Sequence, residues 1–189
     1  MPTSFLTLAA AGAATVLLVG CTGKPSFNDP TLSDRNLNLE EFFDGTTVAQ
    51  GQFQDVFGTV RRRFDVTVKG DWNGKRLRLV EDFVYEDGST EQRVWTLVKT
   101  GQETDSQTWR GTAPGVIGEA VGREDGDRFN WRYTIDLPVP AADGSNETVR
   151  VTFDDWMWLV RDDRVLNRAY MKRFGVDIGD VIISFEKRR

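Results

Sequence analysis

The sequence predicts an all-β protein whose strands form an antiparallel up-and-down meander and close into a barrel of about eight to ten strands. Three observations support this fold class. Apolar and polar residues alternate along most of the chain after residue 46, which is typical of strands with one face in a core and the other in water. Asn-Gly and Asp-Gly pairs separate the alternating runs. No helical pattern longer than two turns lies between them.

The predicted strands follow one another with short connections, which makes consecutive strands antiparallel neighbours. They are expected at residues 47–56, 60–69, 75–85, 90–100, 107–111, from 123 or 128 to 137, 148–160, 164–174 and 180–187. A sandwich is the other outcome of such a meander. The barrel is favoured because it removes exposed edges and suits long, uniform strands. The glycine-rich segment 112–122 is expected to be a strongly bent strand or a loop over the barrel mouth.

A short helical turn is predicted before the first strand. Asn38 can cap it, and Glu41 follows three residues later, as in a capping box. Leu39, Phe42 and Phe43 fall on one face of this turn. We therefore expect the turn to lay two phenylalanines on the domain.

The N-terminus carries the pattern of a bacterial lipoprotein signal. Residues 5–19 are apolar or small, a run of about 15 residues, whereas a membrane-spanning helix needs roughly 20. The string Leu18-Val19-Gly20-Cys21 then places the only cysteine of the chain where lipidation follows cleavage. The alternative is a buried core helix with a chance cysteine. The lipoprotein interpretation predicts that acylated Cys21 attaches the protein to a membrane.

This interpretation divides the chain into three parts. Residues 1–20 are the signal peptide, 21–36 are the lipidated N-terminus with a flexible tether, and 37–189 form a single β-barrel domain. Thr22 rather than aspartate follows the cysteine, which favours the inner leaflet of the outer membrane, facing the periplasm.

Composition excludes several function classes. The chain has no histidine, and its single cysteine is predicted to be acylated, which excludes Ser-His-Asp and Cys-His catalysis and zinc sites built on these residues. The net charge of −5 argues against a nucleic-acid partner. No catalytic residue, metal site or cofactor is predicted.

Aromatic residues supply the candidates for a ligand site. Trp131 and Tyr133 share the apolar phase of one strand. In residues 153–159 the apolar phase changes from odd to even positions, which predicts a β-bulge that re-aims Trp156 and Trp158. These four side chains are interpreted as the lining of a cavity for an acyl chain or another apolar ligand. The alternative is that they simply fill a solid core.

Charged residues near these aromatics are the second group of candidates. Arg168, Lys172 and Arg173 could face a fatty-acid carboxylate or anionic head groups, or they could form cross-strand ion pairs on a solvated face. Arg132 is a further candidate for contact with the ligand. The pair Asp154 and Asp155 could act as a general base or bind calcium, but calcium-loop spacing is absent. A structural role as a cap or as an arginine partner is the alternative.

Several segments together resemble a known family. They are the lipobox and residues 39–45, 115–118, 130–133, 153–157, 167–169 and 172–175. This set is similar to the DUF3833 group of uncharacterised bacterial lipoproteins over residues 38–187. The resemblance implies a lipoprotein of the Gram-negative cell envelope and favours a lipid ligand. The strand pattern also resembles lipocalin-type barrels, although the Gly-x-Trp opening of true lipocalins is absent.

Three functions remain open at this point. The first is an anchored barrel that binds a fatty acid or similar ligand, with an arginine near the cavity mouth. The second is a structural or interaction protein with a solid barrel, an exposed apolar patch and an unidentified protein partner. The third is a lipid-modifying enzyme, which predicts a buried carboxylate of raised pKa inside the cavity, from Asp154 or Asp155.

Overall fold

The structure is a computed structural model that describes residues 23–31, 33–101, 107–140 and 146–188. Within these residues it contains one short helix and ten strands. In chain order they are α1 (Leu39–Phe43), β1 (Gly45–Asp55), β2 (Val60–Trp72), β3 (Arg76–Tyr85), β4 (Thr90–Lys99), β5 (Gln107–Thr112), β6 (Ala120–Asp125), β7 (Arg128–Pro140), β8 (Asn146–Arg161), β9 (Arg164–Arg173) and β10 (Val176–Lys187).

The strands form a closed antiparallel barrel. Each strand pairs with its neighbours in sequence, and β1 also pairs with β10 from Thr47↔Lys187 to Asp55↔Gly179. This pairing closes the meander and leaves no free edge. The predicted all-β class, the antiparallel meander, the barrel and the short N-terminal helix are all confirmed.

Residues 112–128 contain a loop and two strand ends that the sequence pattern does not separate. A strand was expected to start at residue 123 or 128, and the structure has two strands, β6 and β7, joined by a tight turn at Gly126. Before them, the loop at 113–119 runs beside β7. The Ile117 amide donates to the Thr134 carbonyl over 2.8 Å, and the Asp136 amide donates to the Gly115 carbonyl over 2.9 Å.

One end of the barrel, here called the closed end, is covered by α1. Phe43 packs edge-on against Phe185, with ring centres 5.4 Å apart. The Lys187 ammonium donates to the carbonyl oxygens of Glu41 and Asp44, which lie in the last turn of the helix and just after it. A side-chain carbon at Gly70 would lie 1.8 Å from the Phe43 carbonyl oxygen, so this close approach requires glycine.

The start of α1 is capped differently from the prediction. Asn38 makes no side-chain cap hydrogen bond to the helix backbone and instead donates to Glu41 over 3.1 Å. The Leu39 amide donates to the Glu124 carboxylate over 2.7 Å. Glu124 projects from β6, so the barrel wall itself satisfies the helix N-terminus.

The predicted β-bulge in residues 153–159 is wrong in its position. The pairing of β8 with β7 runs without a shift from Asn146 to Trp158, and the shift against β9 lies between Leu159 and Arg161. Odd-numbered residues of β8 therefore keep facing the interior. The apolar residues of the sequence change from odd to even positions because Asp155 faces inward and Trp156 is buried on the outer face by Phe27.

The N-terminal segment covers that outer face. Residues 23–31 and 33–36, which the sequence suggests are a tether, lie along the barrel wall. Phe27 packs on Trp156, with ring centres 4.9 Å apart. The segment begins beside Tyr170 and Asp177, where Lys24 makes its contacts. It ends near the closed end, where the Leu37 amide donates to the Gly126 carbonyl over 2.8 Å.

Candidate functional site

The barrel contains an internal cavity of about 490 Å³. It extends from Phe43 of α1 at the closed end to Leu137 and Ile178 near the opposite end, here called the open end. Its wall is mainly aromatic and aliphatic. The volume lies within the range of small-molecule sites. The alternative prediction of a solid barrel is therefore wrong for the described part of the chain.

Two of the predicted aromatic candidates line this cavity. Trp131 and Tyr133 project inward from β7, and both are more than nine-tenths buried. Trp95 of β4 packs edge-on against both of them, with ring centres 5.7 and 5.0 Å away. The three rings form a continuous aromatic wall in the middle of the barrel.

The other two aromatic candidates lie outside the cavity. Trp156 is buried beneath Phe27 of the N-terminal segment, and Trp158 faces the same outer groove. The apolar pattern correctly indicates that these tryptophans are shielded from water, but it assigns them to the inner face of the barrel. They are shielded on the outer face, because a segment more than 100 residues away in sequence covers this part of the wall. Only the three-dimensional path of residues 23–36 reveals this.

The predicted arginines also lie on the outer face. Arg132 pairs with Asp154 on the neighbouring strand over 3.1 Å. Arg168 pairs with Asp180 over 2.5 Å, and its guanidinium lies over the Tyr170 ring. Both arginines form cross-strand ion pairs, which is the alternative interpretation of Arg168, and neither lines the cavity.

A cluster of polar side chains interrupts the apolar wall at mid-height, and we call it the inner polar cluster. It consists of Glu81 of β3, Glu91 and Arg93 of β4, Tyr133 of β7 and Asp155 of β8. Arg93 donates to Glu91 over 2.7 Å and is flanked by Glu81, its cross-strand partner. All five side chains line the cavity.

Burial changes the proton affinity of this cluster. It raises the pKa of Glu81 from 4.5 to about 7, although the nearby Arg93 opposes the change. Burial, with Asp154 and Glu81 adding negative charge nearby, raises the pKa of Asp155 well above its usual value. Burial and the neighbouring Asp155 also raise the pKa of Tyr133. Glu91 differs from these groups, because although partial burial opposes the change, Arg93 and the Tyr85 hydroxyl lower its pKa. The cluster thus combines the Arg93 cation and an ionised Glu91 with Asp155 and Tyr133, which favour their neutral, hydrogen-donating forms.

Asp155 has an unused acceptor. Its Oδ1 is fully buried and has no hydrogen-bond partner among the described residues. An unsatisfied buried oxygen is costly unless a ligand or water occupies the space in front of it. Asp154, the other predicted acid, points outward and accepts from Asn130 over 2.7 Å. The structure therefore separates the two aspartates onto opposite faces of β8.

A second polar group lies closer to the open end. The Arg62 guanidinium stacks on the Tyr85 ring, 3.3 Å from its centre. The Tyr85 hydroxyl donates to Glu91 over 2.8 Å, and burial together with this bond raises the pKa of Tyr85 to about 12. The binding hypothesis anticipated an arginine near the mouth, and Arg62 occupies that place instead of Arg132 or Arg168.

Sequence reasoning missed Glu81 and Arg93, although a signal was present. Both stand in the inward phase of their strands, between residues that line the core, such as Leu79 and Trp95. Charged residues are rarely buried without a partner. A charged residue at an inward position on each of two paired strands is therefore a recognisable sign of a polar site inside a barrel.

The raised pKa of Glu81 predicts a pH dependence of stability. Between pH 4.5 and about 7 the folded protein retains a proton that the unfolded chain releases, so the free energy of unfolding falls as pH rises across this window. The contribution of Glu81 is about 3 kcal/mol, present below pH 4.5 and lost above pH 7. Urea unfolding at several pH values measures this slope.

Two variants make the pH experiment specific. Glu81→Gln should reduce the slope between pH 4.5 and 7, because glutamine cannot ionise. Part of the slope should remain, because burial also raises the pKa of Glu124 to about 7. Asp82→Asn removes a carboxyl group from the outer face of the same strand and should leave the slope as in the parent. Equal slopes in the parent and in Glu81→Gln would show that Glu81 does not titrate in this window.

Two structural features are absent from the described residues. Within these residues no group of three or more histidine, cysteine, aspartate or glutamate side chains is arranged to hold a metal ion. None of the helices in this part of the chain has the length and apolarity to cross a membrane.

Comparisons with solved structures place the fold among lipocalin-like barrels. The S-type phycobiliprotein lyase CPES from Guillardia theta is similar with a TM-score of 0.57 and 10% identity, over 81% of this chain and 94% of that one. Rv2717c from M. tuberculosis is similar with a TM-score of 0.53 and 16% identity, over 78% of this chain and 93% of that one. At these identities the likeness shows the fold alone.

Sequence comparison identifies the family. No curated protein matches the chain. The model of a family described as "Protein of unknown function (DUF3833)" matches residues 15–187, which includes every strand of the barrel. With this match over most of its length and a closed ten-stranded barrel, the chain belongs to the DUF3833 family.

Proposed function

We propose that this protein is a lipid-anchored lipoprotein of the cell envelope that binds a fatty acid or similar acyl-chain ligand inside its barrel. One observation carries the binding part of the proposal. The cavity of about 490 Å³ has an apolar wall with the inner polar cluster set into it. An amphipathic molecule with one apolar chain and one polar head needs both of these surfaces.

The inner polar cluster has the chemistry to hold the head of such a ligand. Arg93 supplies a cation that can pair with a carboxylate. Asp155 and Tyr133, which favour their neutral forms, can donate hydrogen bonds to carboxylate or ester oxygens. The unpartnered Oδ1 of Asp155 marks the side of the cluster that the ligand head would contact.

Anchoring rests on the N-terminal sequence. Diacylglycerol and an N-acyl chain on Cys21 would hold the protein firmly, because two or more chains suffice for stable membrane attachment. Thr22 at the following position favours the inner leaflet of the outer membrane, with the barrel in the periplasm. Cys21 and Thr22 lie outside the described residues, so this part of the proposal is carried by the sequence alone.

A cavity-filling variant tests the binding proposal. Ala169 lines the cavity from β9, whereas Leu166 of the same strand is exposed on the outer face. We expect Ala169→Phe to weaken binding of a fluorescent fatty acid at least tenfold, about 1.4 kcal/mol, because the new ring occupies the ligand space. The control Leu166→Phe adds a ring of the same size outside and should bind like the parent. Equal binding by both variants would contradict a site inside the barrel.

A second candidate function is an enzyme that acts on lipid substrates. The specific observation in its favour is Asp155, a buried carboxyl group of raised pKa that faces the cavity, as this hypothesis predicted. Mass spectrometry of an acyl ester incubated with the protein tests it. Product formation that Asp155→Asn abolishes would favour catalysis, and unchanged ester would favour binding.

A further inference from the structure

Two phenylalanines stand exposed at neighbouring turns of the open end. Phe57 lies in the turn between β1 and β2, and Phe174 lies in the turn between β9 and β10; each is 89% exposed. The two turns are adjacent because β1 pairs with β10. Val56 and Val176 extend the patch, and both are more than half exposed. A cluster of large apolar side chains on one rim indicates an interaction surface.

No structural feature of the barrel requires a phenylalanine at position 174. Its φ of +51° places it in the left-handed region, and Gly175 follows with φ +79°, which together make a tight two-residue turn. Asparagine before glycine is the usual choice for such a turn, and a bulky residue there is strained. The exposed ring buries nothing in the core, so its apolar surface serves something outside the molecule.

The path of the N-terminal segment indicates what that partner is. The Lys24 ammonium lies 3.7 Å from the Asp177 carboxylate near the open end. Cys21 is three residues before Lys24, so its Cα lies at most about 10 Å from that of Lys24. Phe174 lies in the turn three residues before Asp177, so the Cα atoms of these two residues are also at most about 10 Å apart. The chain therefore continues from Lys24 towards Cys21 at the same end of the barrel as the two phenylalanines.

We infer that the open end of the barrel docks on the bilayer that holds the lipid anchor, with Phe57 and Phe174 inserted between the lipids. This inference rests on the acylation of Cys21 proposed above. The Arg173 guanidinium lies 5.3 Å from the centre of the Phe174 ring. When this ring inserts, the guanidinium is placed among the lipid head groups, where it can pair with their phosphates.

This orientation gives the cavity a direct route to lipid. Ile178 of β10 lines the cavity and lies four residues after Phe174 in the same hairpin. The hairpin that inserts is thus also a wall of the cavity near its open end. An acyl chain can then pass between bilayer and barrel without crossing water, which would be costly for every exposed CH₂ group.

Single-cysteine labelling tests the orientation on the full lipoprotein. Acylation blocks Cys21, the only native cysteine, so one introduced cysteine takes the label alone. Thr59→Cys places an environment-sensitive fluorophore in the open-end turn, and Asp162→Cys places it in a closed-end turn. The labelled proteins are reconstituted in vesicles of phosphatidylethanolamine and phosphatidylglycerol that contain a bilayer-embedded quencher.

We expect several-fold stronger quenching at residue 59 than at residue 162, and a loss of this difference in the double variant Phe57→Ser with Phe174→Asn. Circular dichroism spectra check that the double variant stays folded, and only two exposed side chains change in it. Equal quenching at both ends, or stronger quenching at residue 162, would overturn the inference while leaving ligand binding intact. The intact mass of the purified protein shows whether Cys21 carries acyl chains. A mass without them would contradict both the docking inference and the proposed anchoring.

Discussion

Replacing Arg93 with methionine is expected to lower the free energy of unfolding by about 3 kcal/mol at pH 8 and by clearly less at pH 5. Arg93 is the cation that faces Glu81, Glu91 and Asp155 inside the barrel. Without it, ionised Glu81 and Glu91 would face one another at pH 8 with no counter-charge. At pH 5 Glu81 is protonated, because burial raises its pKa to about 7.

Guanidinium chloride unfolding at the two pH values measures this difference. The control is Arg132→Met, because Arg132 forms an exposed pair with Asp154 on the outer face. Such surface pairs contribute about 0–1 kcal/mol, so the control should change little at either pH. A loss that is the same for both variants, or that does not depend on pH, would show that the inner polar cluster is not an electrostatic unit.

The second large effect is expected for Trp131→Ala, which should cost about 3–5 kcal/mol. The Trp131 ring covers two glycines on neighbouring strands. A side-chain carbon at Gly122 would lie 2.4 Å from this ring, and one at Gly111 would lie 2.8 Å from it. Because both positions lack side chains, neither of them can fill the void that the truncation leaves.

Trp158→Ala is the comparison for this variant. Trp158 lies on the outer face and is only partly buried, so its loss should cost about 1 kcal/mol, as is usual for single substitutions. Urea unfolding of both variants at pH 7 gives the two values. A larger cost for Trp158 than for Trp131 would contradict the assignment of the two tryptophans to opposite faces of the wall.

Most of the fold was predictable because it depends on local pattern. Alternation in segments such as 128–137 sets which face is buried, and Asp-Gly pairs such as Asp125-Gly126 set where strands reverse. The error in β8 has a physical reason. Asp155 is tolerated inside because the inner polar cluster surrounds it, and Trp156 is buried from outside by Phe27. Neither neighbour is close in sequence.

The site was predicted only in part for the same reason. Trp131 and Tyr133 follow from periodicity, and both line the cavity. The inner polar cluster depends on Glu81 and Arg93 meeting Asp155 across the barrel, which requires the closed topology. Strand periodicity assigns a face to each residue but does not say which residues meet across the interior.

The most direct measurement of the central claim is native mass spectrometry of the protein purified from its membrane, followed by lipid extraction. The account predicts one co-purifying acyl species per barrel, in addition to the anchor, which the cavity-filling variant Ala169→Phe loses and Leu166→Phe keeps. An empty barrel that also fails to take up added fatty acid would contradict the account.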